Sequence, residues 1–255
     1  MAKFIGLVGT GSGKAGNFVF SKGEDGQTIA RAYQPKVANP RTDLQILQRA
    51  KMNTVGQFSA LCPAALLAPI GKGSKRKNRS AFARNLLYKA TAELVEGGAK
   101  ASISPEDVIF SKGAQQLLTE ASTPVVDENS VSVTLTPNVP TDLLGRYGER
   151  IVVAILDSTT NEQYDAVIYQ DTTIETNTAQ TINLDISGVP LEQGQTVVVW
   201  RMAFRLAAAA AGLSGDGIHI SSDGITASIG SSSTRITVDE WGRTVHVATV
   251  PFVQG

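Results

Sequence analysis

"RIVVAILD", Arg150 to Asp157, is an apolar run closed at both ends by a charge, and it reads as a β-strand. It has four companions: "VSVTLT" (131–136), "YDAVIYQD" (164–171), "AQTINLDIS" (179–187) and "TVVVWRMAF" (196–204), separated by Pro, Asn, Gly and Thr clusters. Alternating or apolar runs at that spacing, with Val108 to Phe110 ahead of them, predict an immunoglobulin-like β-sandwich from about 105 to 206, in a domain of residues 101–206. The chain has a single cysteine, Cys62, so it lacks the disulfide pair of an antibody domain and the expectation concerns architecture alone.

Upstream, the apolar period lengthens from two to near four. Thr42 with Gln45 three places on fits a capping box, and Leu44, Leu47, Met52, Val55, Phe58 and Leu61 follow at mostly helical spacing. Pro63 and Pro69 delimit a short helical piece. After a Gly71–Lys77 loop, Phe82, Leu86, Leu87, Ala90, Leu94 and Val95 predict one helix face closed by Gly97 and Gly98. Residues 39–100 are thus expected to form a basic helical subdomain, whose two or three helices need other surfaces to cover them.

Residues 1–38 read as an extended β-hairpin arm, two strands around Glu24-Asp25-Gly26. Residues 207–255 read as a β-rich tail with turns at Asp216-Gly217 and Asp223-Gly224 and a hairpin around Trp241-Gly242. The predicted fold class is therefore mainly β with a small α-helical insertion (α+β): arm, helices, sandwich, hairpin tail.

Net charge is zero, but it is unevenly spread. Residues 1–100 carry 16 Lys and Arg against 5 Asp and Glu, and residues 101–255 carry 7 against 18. A chain so divided is expected either to turn its basic half to nucleic acid or to dock basic half on acidic half of another copy. No secretory leader or membrane span is expected, because the longest apolar run, Met202 to Leu213, is interrupted by Arg205.

Enzyme motifs fall short. Gly13-Lys14 resembles the end of a phosphate-binding loop, but Val8 stands where its first glycine belongs and Ala15 where its hydroxyl belongs. Gly11, Gly13 and Gly16 match a dinucleotide fingerprint, yet strand-like "NFVFSKG" follows where a helix is required. With only His219, His246 and Cys62, no metal cluster or nucleophile–base pair is expected; Asp157, Glu162, Asp165 and Asp171 read as a solvated acidic edge. The expectation is no enzyme and no cofactor.

The cluster Lys72, Lys75, Arg76, Lys77, Arg79, Arg84 and Lys89 contains no acid, and Arg41 and Arg49 lie near one face of the preceding helix. It is open to three readings: contact with phosphates, a solvated basic face, or a docking patch for an acidic copy.

The block "GSGKAGNFVFSKGEDGQTIARAYQPKVANPRTDLQILQRAKM" (11–52) resembles the start of an uncharacterised family found in Bacteroidetes genomes and the gut phages and mobile elements that live with them. Gly13, Gly16, Asn17, Val19, Arg31, Asn39, Pro40, Arg41, Thr42, Gln45 and Arg49 carry that likeness, and "VIFSKG" (108–113) extends it. The family offers no catalytic residues. Similar N-P-R-T-x-x-Q corners occur in phage structural proteins, so the resemblance implies a self-assembling bacteriophage virion component, capsid or capsid-associated, made in the host cytoplasm. It would form a homo-oligomer through its arm and basic-to-acidic contacts, with other virion proteins as further partners and no membrane. The alternative expectation is a nucleic-acid-binding protein using residues 72–89.

Overall fold

A computed structural model describes residues 2–4, 13–22, 28–33, 42–71, 75–157, 163–208, 218–229 and 235–253. The protein is mostly β, and the chain divides into two compact units, Met1–Thr42 and Asp43–Gly255.

The first unit holds four short strands, β1 (Ala2–Phe4), β2 (Gly13–Ala15), β3 (Phe18–Lys22) and β4 (Thr28–Ala32), in one antiparallel sheet of order β1-β4-β3-β2. The expected hairpin is β3 with β4, registered Phe18 on Ala32 and Lys22 on Thr28; its turn residues lie outside the described ones. A strand on either side makes the arm a small sheet and not a two-stranded ribbon. Gly16, at φ +56°, lets the chain reverse between Ala15 and Phe18. Glycines there serve a hairpin, and Lys14 sets its ammonium 3.5 Å from the Tyr33 ring centre.

The second unit opens with α1 (Asp43–Leu61), α2 (Ala64–Leu67) and a 3₁₀ turn, Ala68–Ile70, so the two prolines do bound a short helical piece. The capping box is incomplete: Thr42 immediately precedes α1, but Gln45 Oε1 has no hydrogen-bond partner. The expected apolar face of α1 is buried only at Val55 and Phe58, while Leu44 and Met52 are 79% and 58% exposed. The helix therefore begins clear of the core and enters it halfway along.

α3 (Lys75–Lys89) starts inside the expected loop and stops short of the expected end, giving way to a hairpin of β5 (Thr91–Val95) and β6 (Gly98–Ser102). Gly97, at φ +84°, turns that hairpin and caps no helix. Thr91 and Val95 are β-branched, which favours strand over helix once Ala90 has left α3.

The sandwich is built from β7 (Thr119–Ala121), β8 (Val125–Asp127), β9 (Ser130–Pro137), β10 (Tyr147–Leu156), β11 (Tyr164–Thr173), β12 (Gln180–Asp185) and β13 (Thr196–Leu206). It is completed by β14 (Ile218–Ile220), β15 (Thr226–Ile229), β16 (Arg235–Trp241) and β17 (Val245–Pro251). The small sheet runs β12-β9-β7, with β8 also on β9; the large sheet runs β11-β10-β13-β16-β15-β14, with β17 also on β13. Val108–Phe110 is not a strand, but Phe110 is buried in an aromatic cluster, 5.4 Å from the Phe82 ring and 5.7 Å from Trp200.

Every residue of β10 is buried because both of its faces are covered. Val152 and Ala154 join Val198 and Trp200 of β13 in a core with Val55, Phe58, Phe82 and Leu86 of the helices. Ile151, Val153 and Ile155 join Val197 and Val199 in a second core with Val131, Val133, Ile182 and Leu184 of the small sheet. The unbroken apolar run Ile151–Leu156 is the signature of this middle layer. The body has three layers: helices, large sheet, small sheet. Contacts run across the expected boundaries near 100 and 206, and Asp43–Gly255 is one unit.

Trp241-Gly242 is not the turn of a hairpin. β16 and β17 do not pair with each other; both lie antiparallel along β13, on Phe204–Leu206 and Thr196–Arg201 respectively, as one strand with a kink between. Gly242 is required by proximity: a Cβ there would stand 2.4 Å from the Gln115 carbonyl oxygen. Across the kink, the Thr244 hydroxyl accepts hydrogen bonds from the backbone N–H of Phe110 and of Ser111, each 2.9 Å. Asp223-Gly224 is a true turn, with Gly224 at φ +69° against Ala68. Asp216-Gly217 and most of the alanine run before it lie outside the described residues.

Candidate interaction surface

α3 buries Asn78, Phe82 and Leu86. Lys77, Arg84 and Tyr88, seven and four residues apart, fall on the opposite stripe and face solvent, Tyr88 at 82% exposure. Lys75 and Arg76 are exposed at its first turn. Arg79 and Lys89 have partners within the chain. Arg79 Nη2 donates to the Cys62 carbonyl oxygen at 3.1 Å, closing the end of α1, and Lys89 Nζ lies 3.4 Å from Asp107 Oδ1. Lys72 and Arg41 fall outside the described residues, and Arg49 is exposed on α1. The structure thus sets Lys77 and Arg84 on one solvent stripe of α3, with Lys75 and Arg76 exposed at its start.

No acid occurs from Leu44 to Ala92, which covers α1, α2 and α3 except for Asp43, the first residue of α1. No cation occurs from Ala114 to Gly145 or from Ile151 to Trp200, which include all of the small sheet. The charge imbalance between the two halves of the sequence therefore becomes an imbalance between opposite faces of the body.

No family model, no curated protein and no solved structure matches the chain. Function therefore rests on the chain's own surfaces.

Two charge networks missed by the sequence reading lie on opposite faces of β10, and both are structural. Towards the helices, Arg150 Nε and Nη2 donate to the two Asp171 carboxylate oxygens at 2.6 and 2.8 Å, and Nη1 donates to the Ala65 carbonyl oxygen at 2.7 Å. Its guanidinium sits 4.4 Å from the Tyr169 ring centre and 4.8 Å from that of Trp241. This arginine ties α2 to the large sheet. Towards the small sheet, Glu149 Oε1 accepts from the Thr119 hydroxyl at 2.5 Å and the Tyr147 hydroxyl at 2.6 Å, while Oε2 faces Arg201 Nη1 at 3.4 Å as an ion pair without a hydrogen bond. Burial, reinforced by the Glu149 charge, pushes the Tyr147 phenol far up.

Of the expected acidic edge, Asp171 is buried against Arg150, and Glu162 lies outside the described residues. Asp165 is raised by partial burial and then by Asp157 and Glu192, against a hydrogen bond from Gln195. Among the described residues no group of three His, Cys, Asp or Glu could hold a metal ion, and no helix is long and apolar enough to cross a membrane. His219 is exposed on β14, and His246 Nε2 meets the Thr249 hydroxyl at 3.0 Å.

Cys62 is fully buried beside Phe58, donating to its carbonyl oxygen at 3.3 Å, and burial pushes the thiol far up. A thiol held protonated and dry is a poor nucleophile. The folded protein should therefore react with a disulfide reagent at least about a hundredfold more slowly than the urea-unfolded chain; equal rates in the two states would show that Cys62 is accessible.

Proposed function

We propose that the protein is a non-enzymatic structural component that assembles with copies of itself through its N-terminal unit, and that it serves in a bacteriophage virion as a capsid or capsid-associated part. The observation that carries the self-assembly reading is the state of the N-terminal sheet. Of its side chains with described burial only Ala30 is buried, while Phe18 and Tyr33 are 53% and 39% exposed. A sheet with no core of its own does not hold itself together and is stabilised by another surface. Its likeness over residues 13–49 to phage-associated proteins supports the virion assignment, with an immunoglobulin-like sandwich turned outward.

Deleting residues 1–34 should abolish higher-order assembly in size-exclusion chromatography with light scattering at about 1 M salt, where contacts between charges are screened, while the body keeps a cooperative melt. Assembly that survives the deletion would remove the N-terminal unit from its role.

The stripe of Lys77, Arg84 and Tyr88 favours a second reading, a nucleic-acid surface in which cations meet phosphates and the tyrosine stacks on a base. It requires a species whose 260 to 280 nm absorbance ratio falls when high salt strips the nucleic acid away.

A further inference from the structure

We infer that copies of this chain stack head to tail through the two outer faces of the body, the helical face of one copy meeting the small-sheet face of the next. The inference rests on the self-assembly reading above and names a second contact for it, separate from the N-terminal unit.

The two faces differ in sign and are fixed on opposite sides of one three-layer body. Lys75, Arg76, Lys77 and Arg84 stand free on the helical side. On the far side, Asp127 of β8 and Asp185 of β12 both lie opposite Ser130 of β9, one on each edge of it, and both are exposed. Directly opposed residues of antiparallel strands point to the same face, so these two carboxylates project together. Glu128 follows in the adjoining turn, and Glu120, opposite Thr136, marks the other end of the face. Ser132, Thr134, Thr181 and Asn183 lie between, short polar side chains that leave the sheet flat enough for a helix to lie on.

Spacing agrees with sign. Asp127 and Asp185 are separated by two interstrand steps, about 9.6 Å. Lys77 and Arg84 are seven residues apart on one helical stripe, about 10.5 Å along its axis. Two ion pairs can therefore form at once between α3 of one copy and β8 and β12 of the next. Hydrogen bonds from the Ser187 hydroxyl and backbone N–H hold Asp185 below the usual carboxylate range, so it stays charged.

A two-fold dimer through either face would set like charges together. The complementary contact joins different faces, repeats in one direction, and gives rings or open stacks. A nucleic acid would engage the helical face but leave the carboxylate face with nothing to meet, which favours a second copy as the occupant.

The test uses full-length protein in sedimentation velocity at about 0.01 M and about 1 M salt, where screening lengths are about 30 Å and about 3 Å. Lys77→Glu/Arg84→Glu puts acids at the paired positions of both faces, and Asp127→Lys/Asp185→Lys puts bases at the paired positions of both. Each variant alone should lose low-salt stacking by about tenfold or more in association constant, and an equimolar mixture should regain it, because a contact between one variant and the other pairs acid with base at these positions. Rescue on mixing cannot come from misfolded protein. A mixture that stays apart overturns the inference, as does an Asp127→Lys/Asp185→Lys variant that associates like wild type, the result expected if α3 serves a nucleic acid. If wild type assembles and neither variant changes that, stacking fails while the N-terminal reading stands. If wild type is monomeric at both salts, the self-assembly reading fails with it.

Discussion

Asp171→Ala should lower the stability of the body by about 3 to 5 kcal/mol. The carboxylate takes two of the three hydrogen bonds that Arg150 makes, in a site where both side chains are essentially inaccessible. Removing it leaves a guanidinium that cannot ionise away its problem, since arginine stays charged at any accessible pH. The Tyr169 and Trp241 rings offer some compensation, but a cation facing two rings is worth much less than a bidentate carboxylate. In a unit of this size the loss corresponds to a melting point about 10 °C lower. The double variant Arg150→Met/Asp171→Leu should recover most of it, because an apolar pair leaves no buried charge and only the Ala65 carbonyl unpaired. If Asp171→Ala instead melted within about 1 kcal/mol of wild type, water would have to reach Arg150, and the site would not be dry.

Gly113→Ala is expected to cost about 3 kcal/mol by a different route, a backbone collision. An added Cβ would stand 1.8 Å from the Trp241 carbonyl oxygen and 2.4 Å from its carbon. That carbonyl accepts the Gln115 N–H at 3.1 Å, so the strand end has a partner holding it where it is. Relief requires lifting the 111–115 segment off the β16–β17 kink and breaking the bonds to Thr244 with it. Denaturant melts of Gly113→Ala and of Gly188→Ala should differ clearly, since nothing lies within 4 Å of a Cβ at Gly188. Equal midpoints would mean that the 111–115 segment is loosely held.

These effects show which parts of the protein could be read in advance. The central strands were legible because burial on both faces leaves an unbroken apolar run, and Pro63 marked the start of the short helical piece, where Pro69 then sits in the 3₁₀ turn that follows α2. The end of α3 was not, because Leu86, Ala90 and Leu94 keep a four-residue spacing straight through the change from helix to strand. Trp241-Gly242 looked like a turn because a glycine chosen for a close neighbour is spelled like one chosen for a turn; the neighbour, Gln115, is far away in sequence. Arg150 and Asp171 stand at the ends of their apolar runs, where Asp171 reads as part of a solvated acidic edge. β10 and β11 run on past them, so both charges are interior and each needs the other. The basic cluster was visible as charge, but dividing the exposed cations from those engaged by the Cys62 carbonyl and Asp107 required knowing where those lie.

The kinked pair β16 and β17 lies along one whole edge of β13, and it arrives late. During synthesis the ribosome delivers β10 and β13 together, well before residues 235–251 exist. Until then the best apolar strand in the molecule has a bare edge of unpaired amides and carbonyls, able to capture any extended segment, including the same edge on a neighbouring nascent chain. Yield in the cell should thus depend less on the finished body's stability than on how quickly translation carries the chain from Leu206 to Pro251.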